Sequence, residues 1–142
     1  MKTSARNEFS GTIQSIVNGA VNTEVVLDIG EGHELVSVIT HDSAASLGLK
    51  VGGKAIALVK APWVIVTRAD SKLRTSARNK LCGVVAYCHE GAVNGEVIID
   101  LGQGKQLAAI ITNESLKGLG LEAGIPACAH IKASHIVLAV EE

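Results

Sequence analysis

The sequence predicts an all-β protein: two tandem OB-like five-stranded β-barrel modules, each with one short helix between strands 3 and 4. Three observations predict it. The first is an internal repeat. Ser4-Ala5-Arg6-Asn7 returns 72 positions later as Ser76-Ala77-Arg78-Asn79, with Thr3 and Thr75 before it and Gly11 and Gly83 after it. Residues 1–70 align with 73–142 without a gap, and more than a third of the pairs are identical. A repeat overrides the single domain that 142 residues alone would suggest. The second is composition: 47% of residues are hydrophobic, largely Val, Ile, Leu and Ala, and the β-branched runs favour strands. The third is period. Strand-like runs give way to a helical pattern at one place in each repeat.

Within the first repeat, Glu8–Val17 carries Phe9, Gly11, Ile13, Ser15 and Val17 on one parity and reads as a strand. Asn18-Gly19 turns the chain. Asn22–Ile29 is β-branched, Gly30-Glu31-Gly32-His33 makes a hairpin turn, and Glu34–Thr40 pairs back. Thr40-His41-Asp42-Ser43 then has the chemistry of a helix start, with Thr40 as the cap and Asp42 in the positive first turn. Leu47-Gly48 ends that helix, the glycine taking the left-handed stop. Lys54–Lys60 and Trp63–Thr67 form strands 4 and 5, separated by Ala61-Pro62. The second repeat follows the same order. Its boundaries are 1–68 for the first module and 73–142 for the second, with a polar linker at about 69–72.

Each module is short for a self-sufficient core. Several strands, such as Val25–Ile29 and Ile136–Val140, are apolar on both parities. Both features lead to an expectation of oligomerisation.

Charge is nearly balanced, 13 Lys and Arg against 14 Asp and Glu, so no basic field invites nucleic acid. Phe9, Trp63 and Tyr87 are too few for a base-stacking platform. Apolar runs are strand-length, so no membrane span is expected, and the polar N-terminus does not read as a signal peptide. Cys82, Cys88 and Cys128 all fall in the second repeat. An odd count without matching spacing predicts buried, inert thiols rather than a disulfide framework, and a reducing cytoplasm. The five histidines show no metal-ligand spacing, so no metal cation site is expected. Glu24/Glu96 and Asp28/Asp100 recur without a recurrent His or Ser partner. No nucleophile–base pair, Walker loop or dinucleotide fingerprint is present, and an enzyme is not expected.

What does recur is a set of hydrogen-bond donors. Ser4 and Arg6, Ser43 at a helix start, and Lys60 at a strand end match Ser76, Arg78, Ser115 and Lys132. Neighbouring charges have diverged, as at Lys2/Arg74, Glu8/Lys80 and His33/Lys105, while Arg6/Arg78 and Lys60/Lys132 have not. A helix N-terminus offers exposed amides and a partial positive charge, and Arg and Lys add full charges, so the set suits an oxyanion. With no carboxylate in it, the set favours a fully ionised tetrahedral dianion over one that must donate a proton. Gly19-Ala20-Val21-Asn22, matched by Gly91-Ala92-Val93-Asn94, is a second candidate: a turn whose amides could form an anion-binding concavity. An OB-type binder of single-stranded nucleic acid, and an anion-sensing regulatory or scaffold module, are the alternatives.

Taken together, Ser-Ala-Arg-Asn, Gly-Ala-Val-Asn-x-Glu-Val, Ile-Thr-x-x-Ser and Lys-Ala-x-x-Val/Ile resemble the molbindin (Mop) family in its tandem form, over essentially the whole chain. The resemblance implies cytoplasmic binding of molybdate or tungstate as an oxyanion ligand, without an organic cofactor, for molybdenum storage or homeostasis. It implies a homotrimer with a pseudo-hexameric arrangement of modules, and anions at inter-module and subunit interfaces. Carried over by position, one kind of site would use Ser4, Ala5, Arg6, Lys60 and Ala61, completed by Ser43 from an adjacent module, and in the second repeat Ser76, Ala77, Arg78, Lys132, Ala133 and Ser134 with Ser115; the resemblance leaves open which module partners which. A second kind, near the three-fold axis, would use Ala20, Val21, Asn22, Ala92, Val93 and Asn94. One departure stands out. Pro62 occupies the place of Ser134, and proline offers neither hydroxyl nor N–H, so the two repeats need not be equal.

Overall fold

A computed structural model describes residues 3–142. The elements run β1 (Asn7–Asn18), β2 (Asn22–Gly30), β3 (His33–Thr40), α1 (His41–Leu47), β4 (Lys54–Val59), a 3-10 turn (Ala61–Trp63) and β5 (Ile65–Arg68). The second repeat follows with β6 (Asn79–Glu90), β7 (Asn94–Gly102), β8 (Lys105–Thr112), α2 (Asn113–Gly118), β9 (Pro126–Ile131), a 3-10 turn (Ala133–His135) and β10 (Val137–Ala139). Two antiparallel five-stranded sheets result, with one short helix after the third strand of each repeat.

The sheets do not follow the repeats. Their orders are β10-β4-β1-β2-β3 and β5-β9-β6-β7-β8. The final strand of each repeat completes the sheet of the other. One compact unit comprises the chain up to Val59 together with Lys132–Glu142; the other comprises Lys60–Ile131. A fifth strand separated from β4 by a five-residue turn reads locally as a hairpin partner. Lys60 and Lys132, extended at φ −72° and −65°, instead lead the chain out of one unit and into the other.

Local chemistry explains the rest. Glu31 and Gly32 both have positive φ, 57° and 78°, as a type I′ hairpin requires. Asp28 Oδ1 accepts from Gly30 N–H at 2.8 Å, and Asp100 does the same for Gly102. These recurrent carboxylates brace hairpins. The 12-residue β1 pairs with β4 through Asn7–Thr12 and with β2 from Thr12 onward. At that handover a Cβ on Gly11 would run into the Asp28 carbonyl, and one on Gly83 into that of Asp100. Only glycine lets the backbones approach so closely.

Alternate residues fill each core: Ile13, Val25, Leu27, Leu35 and Val59 in the first unit, Val85, Val97, Ile99, Leu107 and Ile131 in the second. In the second unit the opposite parity is also covered. Ile98 and Ala108 pack with Ala61 of the 3-10 turn and with Ala86 and Ile110. The apolar character of both parities in β7 and β8 is thus met within this unit.

The cysteine expectation fails. Cys82 and Cys128 form a disulfide, and only Cys88 is free. The two stand directly opposite each other on β6 and β9. Their counterparts Ser10 and Ile56 are opposite on β1 and β4. The spacing signal was therefore in the strand register, not in a motif. Among the described residues no helix is long and apolar enough to cross a membrane.

Candidate functional site

The Ser-Ala-Arg-Asn segments lead into β1 and β6. Asn7 and Asn79 are each 2% exposed. Their side-chain amides donate to the carbonyls of Val59 and Ile131, both at 3.2 Å. The fourth residue of the motif is therefore spent on the fold: it ties the start of the first strand to the residue before the chain leaves the unit. Ser4, Arg6, Ser76 and Arg78 are exposed, while Ala5 and Ala77 are half-buried with their N–H groups donating to Thr3 and Thr75 hydroxyls.

Thr40 and Thr112 cap α1 and α2 as expected, accepting from the N–H of Ser43 and Ser115 at 3.1 Å. The expectation that the helix-start amides face a ligand needs correction. Ser43 N–H is held by Thr40, and His41 N–H donates to Val21 O at 2.9 Å. Asn113 N–H likewise donates to Val93 O. Each helix start also presents a hydroxyl. Thr40 Oγ1 donates to Ser43 Oγ at 2.7 Å, and Thr112 to Ser115 at 2.8 Å. With its oxygen already accepting, each serine has its own proton to give outward.

Ser43 opens into a cleft of about 630 Å³ in the first unit, lined also by Asn22, Thr40, Asp42, Ser46 and Ser134. Two things follow. Asn22, placed by sequence in a separate group, shares this cleft with Ser43. And Ser134 reaches it from the second repeat, because Lys132–Glu142 belongs to this unit. The unit with Ser4, Ala5, Arg6 and Ser43 thus holds Lys132, Ala133 and Ser134. The unit with Ser76, Ala77, Arg78 and Ser115 holds Lys60, Ala61 and Pro62. The resemblance had instead placed Lys60 and Ala61 with Ser4–Arg6, and Lys132 and Ala133 with Ser76–Arg78. Ala61 and Ala133 are buried anchors at 1% and 6% exposure; Lys60 and Lys132 beside them are exposed.

The lysines also differ. Lys60 Nζ sits 5.5 Å from the centroid of the Trp63 ring, a cation–π distance; the residue at that place after Lys132 is His135. A further correction concerns carboxylates: Asp42 lines the cleft, and Glu114 stands at its place in the second repeat. The donor set is not free of acids.

The Gly19–Asn22 turn closes by Gly19 N–H donating to Asn22 O at 2.8 Å, and Gly91 repeats it at 2.9 Å. Ala20, Val21 and Asn22 are exposed, as are Ala92, Val93 and Asn94. Val21 and Val93 are 73% and 74% exposed, prominent for apolar side chains.

Comparison with known proteins falls into line with this architecture. The TOBE domain family matches twice, at residues 3–66 and 75–138. A crystal structure of the cytoplasmic molybdate-binding protein ModG, with molybdate bound, superposes with a TM-score of 0.95 at 45% identity, covering 99% of this chain and 100% of that one. The molybdenum-pterin-binding protein MopA of Rhodobacter capsulatus is 45% identical over 99% of this chain and 53% of its own length. The molybdenum transport protein ModE of Azotobacter vinelandii is 43% identical over 99% of this chain and 52% of its own. The chain spans about half the length of these two curated relatives.

Proposed function

The chain belongs to the TOBE-domain family, and we propose that it binds molybdate, and tungstate, as a cytoplasmic molybdenum-handling protein rather than an enzyme. The observation that carries the reading is the cleft of the first unit. There Ser43, made a directed donor by Thr40, meets Ser134 in a unit that also holds Arg6 and Lys132. Hydroxyl protons and full positive charges suit a tetrahedral dianion. The full-length likeness to ModG supports the same guest.

The ligand set is Ser4, Ala5, Arg6, Ser43, Lys132, Ala133 and Ser134 in the first unit. In the second it is Ser76, Ala77, Arg78, Ser115, Lys60 and Ala61. Pro62 in place of Ser134 and the Lys60–Trp63 contact make the second set the weaker binder. Ala20–Asn22 and Ala92–Asn94 supply further contacts between subunits of a homotrimer. The exposure of Val21 and Val93 supports burial there in an assembly. Storage is the expected use of such a trimer.

Isothermal titration with molybdate, competed with sulfate and phosphate, tests the reading. Saturable molybdate heat is expected. Arg6→Ala and Lys132→Ala each lose about 1.5–3 kcal/mol of binding free energy, the worth of a charged hydrogen bond, with little change in melting temperature. Absence of saturable molybdate heat sinks the reading. A second reading, an anion-sensing module acting on other protein segments, is favoured by the chain matching only about half the length of MopA and ModE. A pull-down whose captured partners depend on molybdate distinguishes it.

A further inference from the structure

The segment ahead of the first strand is braced differently in the two repeats. In the first, the Glu8 carboxylate accepts from the N–H and the hydroxyl of Thr3, at 3.0 and 3.1 Å. In the second, Lys80 stands in place of Glu8 and His130 in place of Leu58. His130 is 3% exposed. One ring nitrogen, Nε2, lies 2.9 Å from the Thr67 hydroxyl; the other, Nδ1, lies 3.5 Å from that of Thr75. Lys80 is directly opposite it in the β6–β9 register. Arg74, Thr75, Ala77, Lys80 and His130 line an open pocket of about 200 Å³ with Leu73, and no carboxylate is among them.

The chemistry of this wall differs from that of the first repeat: Lys80 stands opposite a buried imidazole and Arg74 lines the same pocket, where the first repeat keeps Leu58 and the Glu8 carboxylate. Burial, and then the Lys80 charge, hold His130 below its ordinary pKa, so the ring is neutral at pH 7. A neutral ring donates from one nitrogen and accepts at the other. Thr75, between ring and pocket, can itself both donate and accept.

We propose that this pocket is an additional anion site, confined to the second repeat and separate from the Ser43–Ser134 cleft, which takes a small hydrogen-bearing oxyanion of the phosphate type. Arg74 and Lys80 neutralise it. The Thr75 hydroxyl, set from behind by His130, meets either an oxygen or the proton of the anion. A wall of donors alone would reject that proton; a hydroxyl backed by a neutral imidazole accommodates it. The proposal stands independently of what the cleft binds.

Titration of the full chain with inorganic phosphate at pH 7, by calorimetry and by the imidazole resonances in NMR, tests it. Lys80→Glu is the informative variant because it restores the brace that Glu8 makes in the first repeat, so the fold tolerates it. Arg74→Ala is the second. The parent is expected to bind phosphate saturably, with a histidine resonance moving at the same midpoint. Both variants weaken binding at least about tenfold, as loss of a charge-assisted bond does, and phosphate still binds after saturation with molybdate. No saturable phosphate heat, or a Lys80→Glu protein that binds phosphate as tightly as the parent, overturns the proposal. So does phosphate heat abolished by prior molybdate, which would place phosphate in the cleft.

Discussion

Asn7 and Asn79 show how one motif divides its labour. Two residues of Ser-Ala-Arg-Asn carry exposed donors, and the fourth is a buried lock on a strand carbonyl. Asn79→Ala is expected to lower stability by about 1–3 kcal/mol, the cost of leaving a buried group unpaired, measured by urea denaturation, and to leave the molybdate affinity of the folded protein unchanged. Asp42 acts in the opposite sense. A carboxylate lining the Ser43 cleft repels a dianion, so Asp42→Asn is expected to tighten molybdate binding several-fold by calorimetry. Unchanged affinity would place the anion away from that wall. His130 gives a pH dependence. Its folded pKa lies below the unfolded value, so the unfolded chain binds the extra proton first. Its contribution is fully present above about pH 6.5, and is lost as pH falls from there through the folded pKa. Added anion is expected to oppose that loss, because a neutralised Lys80 no longer disfavours the imidazolium. Denaturation midpoints from pH 7.5 to 5, with and without phosphate, check the sign.

At the scale of elements, the decisive feature is β6 against β9. The register that brings Cys82 to Cys128 also brings Lys80 to His130. The disulfide closes a sequence separation of 46 residues, and restricting the unfolded chain to that extent is worth about 2–4 kcal/mol. Reduction is expected to lower the unfolding midpoint by a corresponding amount. Thiol titration of the denatured, unreduced protein should count Cys88 alone, and all three cysteines after reduction. Three reactive thiols before reduction would remove the bond from the account. Native Cys88 is expected to react slowly, since burial and then the nearby Glu122 carboxylate raise its pKa. The elements themselves were largely legible in advance. β-branched runs, the Glu31-Gly32 turn and the Thr40 cap act within a few residues of chain, where sequence is a direct guide. The disulfide was not, because it depends on how two strands 46 residues apart are aligned.

For the whole molecule, the exchange of β5 and β10 governs both folding and site composition. Each unit needs a strand from the other repeat. A fragment of residues 1–72 retains β5 but has lost β10, the partner of its β4 edge. It is expected to self-associate by strand exchange or to remain unfolded. Size-exclusion chromatography and circular dichroism check this, and a folded, monomeric fragment would show that β5 can close its own sheet. A short 3-10 turn rather than a hairpin follows β4, so the local geometry favours the exchange. The same exchange brings Ser134 to Ser43 and leaves Pro62 in the unit of Ser115.

By itself the sequence determined the duplication, the strands and capped helices of each repeat, and the recurrent donors. It also carried the Pro62–Ser134 asymmetry. All of these are written in residue identity, local backbone preference or comparison of one repeat with the other. Tertiary structure alone decided the company those donors keep. It sent the end of each repeat into the other unit, paired the His41 and Asn113 amides with the Val21 and Val93 carbonyls, and set Asp42 and Ser134 on one cleft. It also placed Cys82 against Cys128 and buried His130 beside Lys80. The physical reason is common to all of these. Each depends on a pairing between segments far apart in the chain, set by sheet register and by which β4 or β9 edge a final strand completes, and no local preference encodes that choice.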